Sequence, residues 1–181
     1  MPRLTPITSK TQVSAEYHAI VDAILASRGT LKGPFPMFLH CPKLAGYVAQ
    51  VGAFVRFEGS LDERTRVLTG MTAGRELDAL YIWGAQTGEA RKQGIEEAII
   101  TAIREKHSNG IPAQDAQIVE FTRALIRKHR VDATVVKALR SRYGDEGFIE
   151  LTGAIGYYGM LAMTLNACEV EALPGREVLQ V

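Results

Sequence analysis

The chain has 181 residues, enough for one domain with a sizeable core, and 46% of them are hydrophobic, an ordinary fraction for a globular protein. Because 21 Lys and Arg residues are balanced by 20 Asp and Glu residues, no charge excess favours binding to a nucleic acid or an anionic membrane. The two cysteines, Cys41 and Cys168, form no Cys-x-x-Cys motif and join no Cys/His cluster, which argues against a disulfide framework, a metal site and dithiol redox chemistry.

Apolar residues recur at helical spacing in one segment after another, while alternating strand-like runs are scarce. We therefore predict an all-α protein. The predicted helices, in chain order, cover about residues 11–28, 42–57, 62–86, 95–106, 112–129, 132–143 and 146–167.

Glycine, proline and capping residues mark the ends of the first three helices. Gly29 follows the first helix, and Pro34 and Pro36 interrupt regular structure before the second. Ser60 or Asp62 can cap the long third helix, because a short polar side chain accepts hydrogen bonds from the free amide groups there.

The last predicted helix, residues 146–167, is almost uncharged and rich in small residues. Such a helix is apolar on all sides, so we expect it in the core or in a subunit interface. Polar residues and glycines interrupt it too often for a membrane span. Residues 173–181 resemble an extended arm. Because residues 1–6 lack the apolar stretch of a signal peptide, we expect a single cytoplasmic domain over residues 1–181.

Four stretches occur in an order and spacing typical of a known family. They are residues 33–40 with Pro42, residues 57–61 with Arg64, residues 75–83, and residues 156–167. In combination they resemble the carboxymuconolactone decarboxylase family, whose members share the alkylhydroperoxidase D-like all-α fold. The resemblance extends over roughly residues 30–170.

The resemblance implies a helical protomer that assembles into trimers or hexamers, with a site between helices near a subunit boundary. It also implies a small-molecule substrate and one of two activities. One is decarboxylation of a lactone or keto acid without a metal or an organic cofactor, and the other is reduction of a hydroperoxide by a thiol pair.

Four positions depart from the family pattern. Val67 and Ile82 stand where glutamates are usual, and Gln86 stands where a histidine is usual. Aliphatic and amide side chains cannot act as a general acid or base, so the usual proton transfer of the family has no obvious carrier here. Ala79 and Ile82 stand at the positions that match the cysteine pair of the peroxidase branch, which leaves no thiolate there to attack a peroxide.

His40 and Cys41 lie between a proline-rich loop and a predicted helix. The imidazole of His40 titrates near neutral pH, so His40 is a candidate general acid or base. The alternative is a ring that packs in the loop and bonds a backbone carbonyl group. Cys41 is most simply a small hydrophobic residue, because the sequence offers it no resolving partner.

Two arginines are candidate ligands for a substrate carboxylate, which a guanidinium can hold with two parallel hydrogen bonds. Arg56 ends the second predicted helix, where its alternative role is to stabilise the helix C-terminus. Arg75 and Asp78 are three residues apart and so share a helix face, where they can organise a site or simply link helices as an ion pair.

Tyr157, Tyr158 and Asn166 place hydroxyl and amide groups on an otherwise apolar helix, which must satisfy their hydrogen bonds. They can line a pocket and bind a carbonyl group or a carboxylate, with Tyr157 as a second candidate for proton transfer. Equally, they can connect subunits across an oligomer interface.

These observations support three functional hypotheses. The first is a cofactor-free enzyme that acts on a small carboxylated, lactone or keto compound, with Arg56 or Arg75 binding the anionic group and His40 or a tyrosine moving the proton. The second is a ligand-binding or assembly protein that kept the fold and lost the chemistry. The third is a hydroperoxide reductase.

Overall fold

The computed structural model describes residues 2–180, and all regular structure in that range is helical, as predicted. The α-helices are α1 His18–Arg28, α2 Phe35–Phe38, α3 Pro42–Ala53, α4 Glu63–Glu76, α5 Leu80–Lys92, α6 Glu97–Arg104, α7 Ala113–Lys128 and α8 Ala133–Ala167. The helix predicted from residue 11 begins later, because two short 3₁₀ turns precede α1. A π-helical turn, Phe54–Glu58, continues α3.

Helix α4 lies at the centre of the bundle and packs against α5, α7 and α8. Nine of its residues are buried, among them Leu68 and Met71, whose side chains are fully enclosed. Its start is capped by the Asp62 carboxylate, which accepts from the backbone N–H of Thr65 at 2.8 Å. Because other helices surround α4, it has no side that faces solvent, and its sequence lacks the one-sided apolar pattern of a surface helix.

The prediction of one long helix over residues 62–86 is wrong, because the structure has two helices there, α4 and α5. The chain turns back between α4 and α5 at Asp78, which has a φ of 47°. Aspartate tolerates this left-handed conformation better than most residues. Gly74 permits the close return of α5, since a Cβ atom there would lie 2.8 Å from the Ile82 side chain. The apolar spacing continues across the turn, which is why the sequence pattern did not show it.

Helix α8 has one internal break, at Gly144, where φ is 69°. The break falls between the two helices predicted over residues 132–143 and 146–167. The second half is buried along one side only, and Ile149 and Met163 on its other side are more than 60% exposed. By length and composition, α8 is also the one described helix apolar enough to cross a membrane, with half of its most apolar window buried in the protein.

The C-terminal arm follows α8 and lies across α5 without forming a helix. The Glu177 carboxylate accepts hydrogen bonds from Arg104 at 2.7 Å and from Arg91 at 2.6 Å, and Leu179 is buried. Gly88 makes room for the arm, since a Cβ atom there would lie 2.6 Å from the Arg176 guanidinium. The arm thus holds α5 against the bundle.

Candidate functional site

A cavity of about 600 Å³ opens between the end of α1, the loop that follows it, the π-helical turn, α4, α5 and α8. Apolar side chains such as Phe35, Phe57 and Leu161 form much of its wall. Its charged lining residues are Arg28, Lys32, Arg56, Arg66, Glu63 and Glu89. Four cations against two carboxylates give this lining an excess of positive charge, although the chain as a whole is almost neutral.

Arg28 is held in place by its neighbours but keeps one donor free. Its Nη2 donates to the backbone carbonyl of Ala49 at 2.9 Å and its Nη1 donates to Ser27 Oγ at 2.6 Å. The guanidinium lies over the Phe35 ring, 4.7 Å from the ring centre. Its Nε is buried and has no hydrogen-bond partner within residues 2–180. A buried donor without a partner is costly, so this Nε–H favours an acceptor from outside the chain.

The π-helical turn positions Arg56 at the cavity. This turn ends at Gly59, whose N–H donates to the carbonyl oxygen of Phe54 at 2.8 Å, one residue wider than an α-helical bond. Such wider turns are frequent at functional sites, because they rotate the following side chains relative to the regular helix. The Arg56 guanidinium lies 4.9 Å from the centre of the Phe57 ring.

Arg66 reaches the cavity from the first half of α4. Within the described part of the chain, none of Arg28, Arg56 and Arg66 has a carboxylate oxygen within 4.0 Å of its guanidinium nitrogens. Three guanidinium groups that share a cavity and lack ion pairs have the chemistry to bind an anion.

Two tyrosines form the inner wall of the cavity. The rings of Tyr157 and Tyr158 contact each other edge to face, with 5.4 Å between their centres. Burial raises the pKa of Tyr157, and burial together with Tyr157 raises the pKa of Tyr158 to about 12, so both phenols are protonated at neutral pH. Gln86 Nε2 donates to the Tyr158 hydroxyl at 3.5 Å, a long bond that leaves the phenol able to serve a ligand.

Two glycines create the space that these tyrosines fill. A Cβ atom at Gly52 on α3 would overlap the Tyr157 hydroxyl, and one at Gly70 on α4 would lie 2.7 Å from the Tyr158 ring. The ring positions therefore depend on glycine at both places, because backbone and ring atoms cannot move aside cheaply.

Three of the predicted site residues, Arg56, Tyr157 and Tyr158, line this one cavity. His40 does not. It is exposed at the end of the proline-rich loop, and its Nε2 lies 2.9 Å from the backbone carbonyl oxygen of Thr5. Asn166 is exposed at the end of α8 and donates to the backbone carbonyl of Leu77 at 2.7 Å.

Arg75 and Asp78 lie at the far end of α4 and pair with each other, as the ion-pair interpretation expected. Arg75 also donates from Nε to the backbone carbonyl of Arg104 at 2.6 Å, and Lys106 approaches Asp78 at 3.2 Å. Neither residue lines the cavity. These contacts join α4 to the end of α6.

Three of the four residues that depart from the family pattern, Val67, Ile82 and Gln86, lie in the cavity wall. The fourth, Ala79, is buried just before α5. Sequence reasoning missed Arg28 and Arg66 as site residues. Arg28 is in the last turn of α1, where cations are common because they interact favourably with the helix dipole. Arg66 lies near the start of α4 and belongs to no recognisable sequence motif.

Within residues 2–180, no group of three His, Cys, Asp or Glu side chains is arranged to hold a metal ion.

No protein-family model and no curated protein matches the sequence. The fold is similar to a solved structure described as the alkylhydroperoxidase AhpD core, an uncharacterized peroxidase-related protein from Ralstonia eutropha JMP134. The superposition has a TM-score of 0.77 and covers 96% of this chain and 93% of that one, at 14% sequence identity. The chain therefore has the AhpD-core fold.

Proposed function

We propose that this chain with the AhpD-core fold binds a small carboxylate in the cavity between α1, α4, α5 and α8. The observation that carries the proposal is the set of three guanidinium groups, Arg28, Arg56 and Arg66, that face the cavity without ion pairs. Elsewhere in the described chain most arginines have carboxylate partners, so this set is distinctive. The apolar and aromatic wall suits the carbon skeleton of such a ligand.

The cavity offers complementary groups for the rest of the ligand. The neutral phenols of Tyr157 and Tyr158 can donate to a carbonyl or carboxylate oxygen. Burial alone would raise the pKa of Glu89, but hydrogen bonds from Lys92 and Gln93 and the nearby Arg56 lower it, so this carboxylate in the cavity lining is ionised. The lining as a whole keeps an excess of positive charge, which attracts an anion.

Calorimetric titration with a panel of aromatic and aliphatic carboxylates tests this proposal, with each carboxylate compared with the corresponding neutral amide. We expect at least one carboxylate to bind saturably and its neutral amide to bind at least about tenfold more weakly. The double variant R56Q/R66Q should weaken the carboxylate by roughly tenfold to a hundredfold. The matched control Arg75→Gln should leave affinity unchanged, because Arg75 lies outside the cavity. Equal binding of acids and amides would contradict the proposal.

A second candidate function is cofactor-free decarboxylation of a β-keto acid in the same cavity. It is favoured by the position of the Tyr158 phenol on a wall shared with Arg56 and Arg66. When the bond between the α-carbon and the carboxylate carbon breaks, CO₂ leaves and the electron pair forms an enolate, which a guanidinium stabilises. The phenol can then protonate the α-carbon and recover its proton from water.

Release of CO₂ from acetoacetate and oxaloacetate, measured against the uncatalysed rate, tests this second function. Saturable turnover that falls by about 10²-fold or more in Tyr158→Phe, with ligand affinity retained, would support it. Saturable binding without any turnover would leave carboxylate binding as the function.

Hydroperoxide reduction is the third hypothesis, and the name of the Ralstonia protein is its main support. Cys41 is exposed at the start of α3 and Cys168 follows α8, and neither lines the cavity. A hydroperoxide reductase assay on the chain and on the double variant C41S/C168S tests it. Loss of activity in the double variant would favour this hypothesis over the other two.

A further inference from the structure

The cavity lining contains two carboxylates, Glu63 and Glu89, which take no part in binding a simple carboxylate. Each of them repels an anion, so a cavity that served anions alone would be expected to lack them. Both lie in the same lining as the three unpaired arginines. The cavity therefore presents both signs of charge to a ligand.

Glu63 and Arg66 are neighbours that do not pair with each other. They are three residues apart on α4, so they lie on one side of the helix with roughly 5–6 Å between their Cβ atoms. Both line the cavity. Within residues 2–180, no oxygen of the Glu63 carboxylate lies within 4.0 Å of a Lys, Arg or His nitrogen, and Arg66 likewise has no carboxylate partner.

The spacing along the helix does not explain this lack of contact. Farther along the same helix, Arg75 and Asp78 are also three residues apart, and these two side chains do form an ion pair. The separation of Glu63 from Arg66 is therefore a property of the cavity. It leaves both charges available to a ligand that lies between them.

Glu89 and Arg56 form a second arrangement of this kind. Arg56 is near enough to help keep Glu89 ionised, but none of its nitrogens lies within 4.0 Å of the carboxylate in the described part of the chain. Lys92 approaches Glu89 at 3.1 Å with a side chain that is 64% exposed, and such a solvent-exposed pair contributes little. Each cavity carboxylate thus lies near a guanidinium group that it does not contact.

We infer that the cavity binds a zwitterionic α-amino acid, with its carboxylate on the arginines and its ammonium group on Glu63, while Glu89 adds a longer-range attraction. This inference rests on the proposed carboxylate site and narrows it. The two charged groups of an α-amino acid share one carbon atom, so one ligand can contact both Glu63 and Arg66. Its side chain can then lie along the apolar wall that includes Phe35 and Leu161.

Glu63 has an alternative role as the first residue of α4, where a carboxylate interacts favourably with the helix dipole. Glu97 has the same position at the start of α6 and lies outside the cavity. Glu97→Gln is therefore the matched control, because it removes the charge from the first residue of a helix without changing the cavity. It should leave the affinity for every ligand unchanged.

Calorimetric titration of the full chain at neutral pH tests the inference with a panel of L-amino acids. Each is compared with its counterpart that lacks the α-amino group, such as L-phenylalanine with hydrocinnamate. At least one amino acid should bind about fivefold or more tightly than its counterpart. Glu63→Gln should remove most of this preference and leave the counterpart bound equally well or more tightly, because a repulsive charge is gone. Glu89→Gln should act in the same direction but more weakly.

The outcomes separate this inference from the carboxylate proposal. If carboxylates bind but no amino acid binds more tightly than its counterpart, the inference is overturned and the carboxylate proposal stands. If neither class binds, both fail. A preference for amino acids that survives in E63Q/E89Q would overturn the inference, because the ammonium group would then bind elsewhere. So would equal weakening of both ligands in Glu63→Gln, since Glu63 would then support the fold of α4 instead of contacting the ammonium group.

Discussion

Two regions beside α4 hold arginines in opposite surroundings. At the far end, the Glu76 side chain is 1% exposed and pairs with Arg123, which is 4% exposed, and with Arg127. At the cavity end, Arg66 joins two other arginines that have no carboxylate partner. Charges of the same type thus serve the fold in one region and remain available in the other.

This difference shows what distinguishes a structural arginine from a ligand-binding one. A buried guanidinium needs a carboxylate or carbonyl partner for the fold to be stable. A guanidinium that faces a cavity without such a partner is stable because water reaches it, and a ligand can replace that water. Pairing, rather than position along a helix, separates the two classes. Experiments at Glu76, Glu177 and Arg66 test this separation, and a fourth tests the burial of Tyr158 in the cavity wall.

The largest effect is expected at Glu76. Glu76→Gln removes the buried carboxylate that pairs with Arg123 and Arg127 and leaves Arg123 only the largely exposed Glu120 at 3.2 Å, so the free energy of unfolding should fall by about 3 kcal/mol. Glu97→Gln is the control, because the Glu97 side chain is 61% exposed and its ion pair with Arg91 should contribute about 0–1 kcal/mol. Denaturant titration measures both. Equal losses in the two variants would show that burial does not set the contribution.

The next effect concerns Tyr158 at alkaline pH. Its folded-state pKa of about 12 exceeds the ordinary value of 10.0, so the folded protein holds this proton more tightly than the unfolded chain. The resulting stability is complete below pH 10 and is lost as the pH rises toward 12, by about 2–3 kcal/mol.

Unfolding measured at several pH values between 9 and 12 should therefore show a shallower decline for Tyr158→Phe than for the parent chain. The other buried tyrosines titrate in both proteins, so the difference between the two curves reports Tyr158 together with its coupling to Tyr157. Parallel curves would mean that the phenol is not desolvated.

A smaller effect is expected at Glu177 in the C-terminal arm. Burial alone would raise its pKa, but hydrogen bonds from Arg91 and Arg104 lower it below its ordinary value of 4.5. A lowered folded-state pKa adds stability above pH 4.5 that disappears as the pH falls. Glu177→Gln should cost about 1 kcal/mol at neutral pH and less in acid, as followed by thermal unfolding. A cost that persists at low pH would point to packing of the arm instead.

The smallest effect is expected at Arg66. Because this side chain has no ion pair to lose, Arg66→Gln should change the free energy of unfolding by less than about 0.5 kcal/mol. The same substitution at Arg75 on the same helix should cost about 1–3 kcal/mol, since it removes the bonds to Asp78 and the Arg104 carbonyl. If Arg66→Gln proves the more destabilising of the two, the division between paired and available arginines fails.

The predictions from sequence were most successful where a local pattern decides the structure. The 3.6-residue spacing, Gly29 at the end of α1 and the Asp62 cap of α4 are local features, and the structure contains them all. The family resemblance likewise predicted the AhpD-core fold that the structural comparison shows. The turn at Asp78 was missed, because a single tolerant residue breaks the helix while the apolar spacing continues.

The site was only partly accessible to sequence reasoning. Tyr157 and Tyr158 were identifiable as polar groups that an apolar helix must satisfy, and both line the cavity. His40 and Arg75 looked equally suitable, yet each satisfies a backbone carbonyl elsewhere. No sequence pattern identified Arg28 and Arg66 as site residues, because their position in the cavity wall depends on which helices lie opposite them.

The sequence alone determined the helical class, most helix ends and the inventory of groups available for chemistry, since these follow from spacing and residue type. Only the tertiary structure decided which arginines acquire carboxylate partners and which remain available at a cavity. That choice depends on how α1 and α8, which lie far from each other in the chain, are placed beside α4 and α5. Local patterns cannot specify such contacts, because the electrostatic environment of a side chain is set by its neighbours in space.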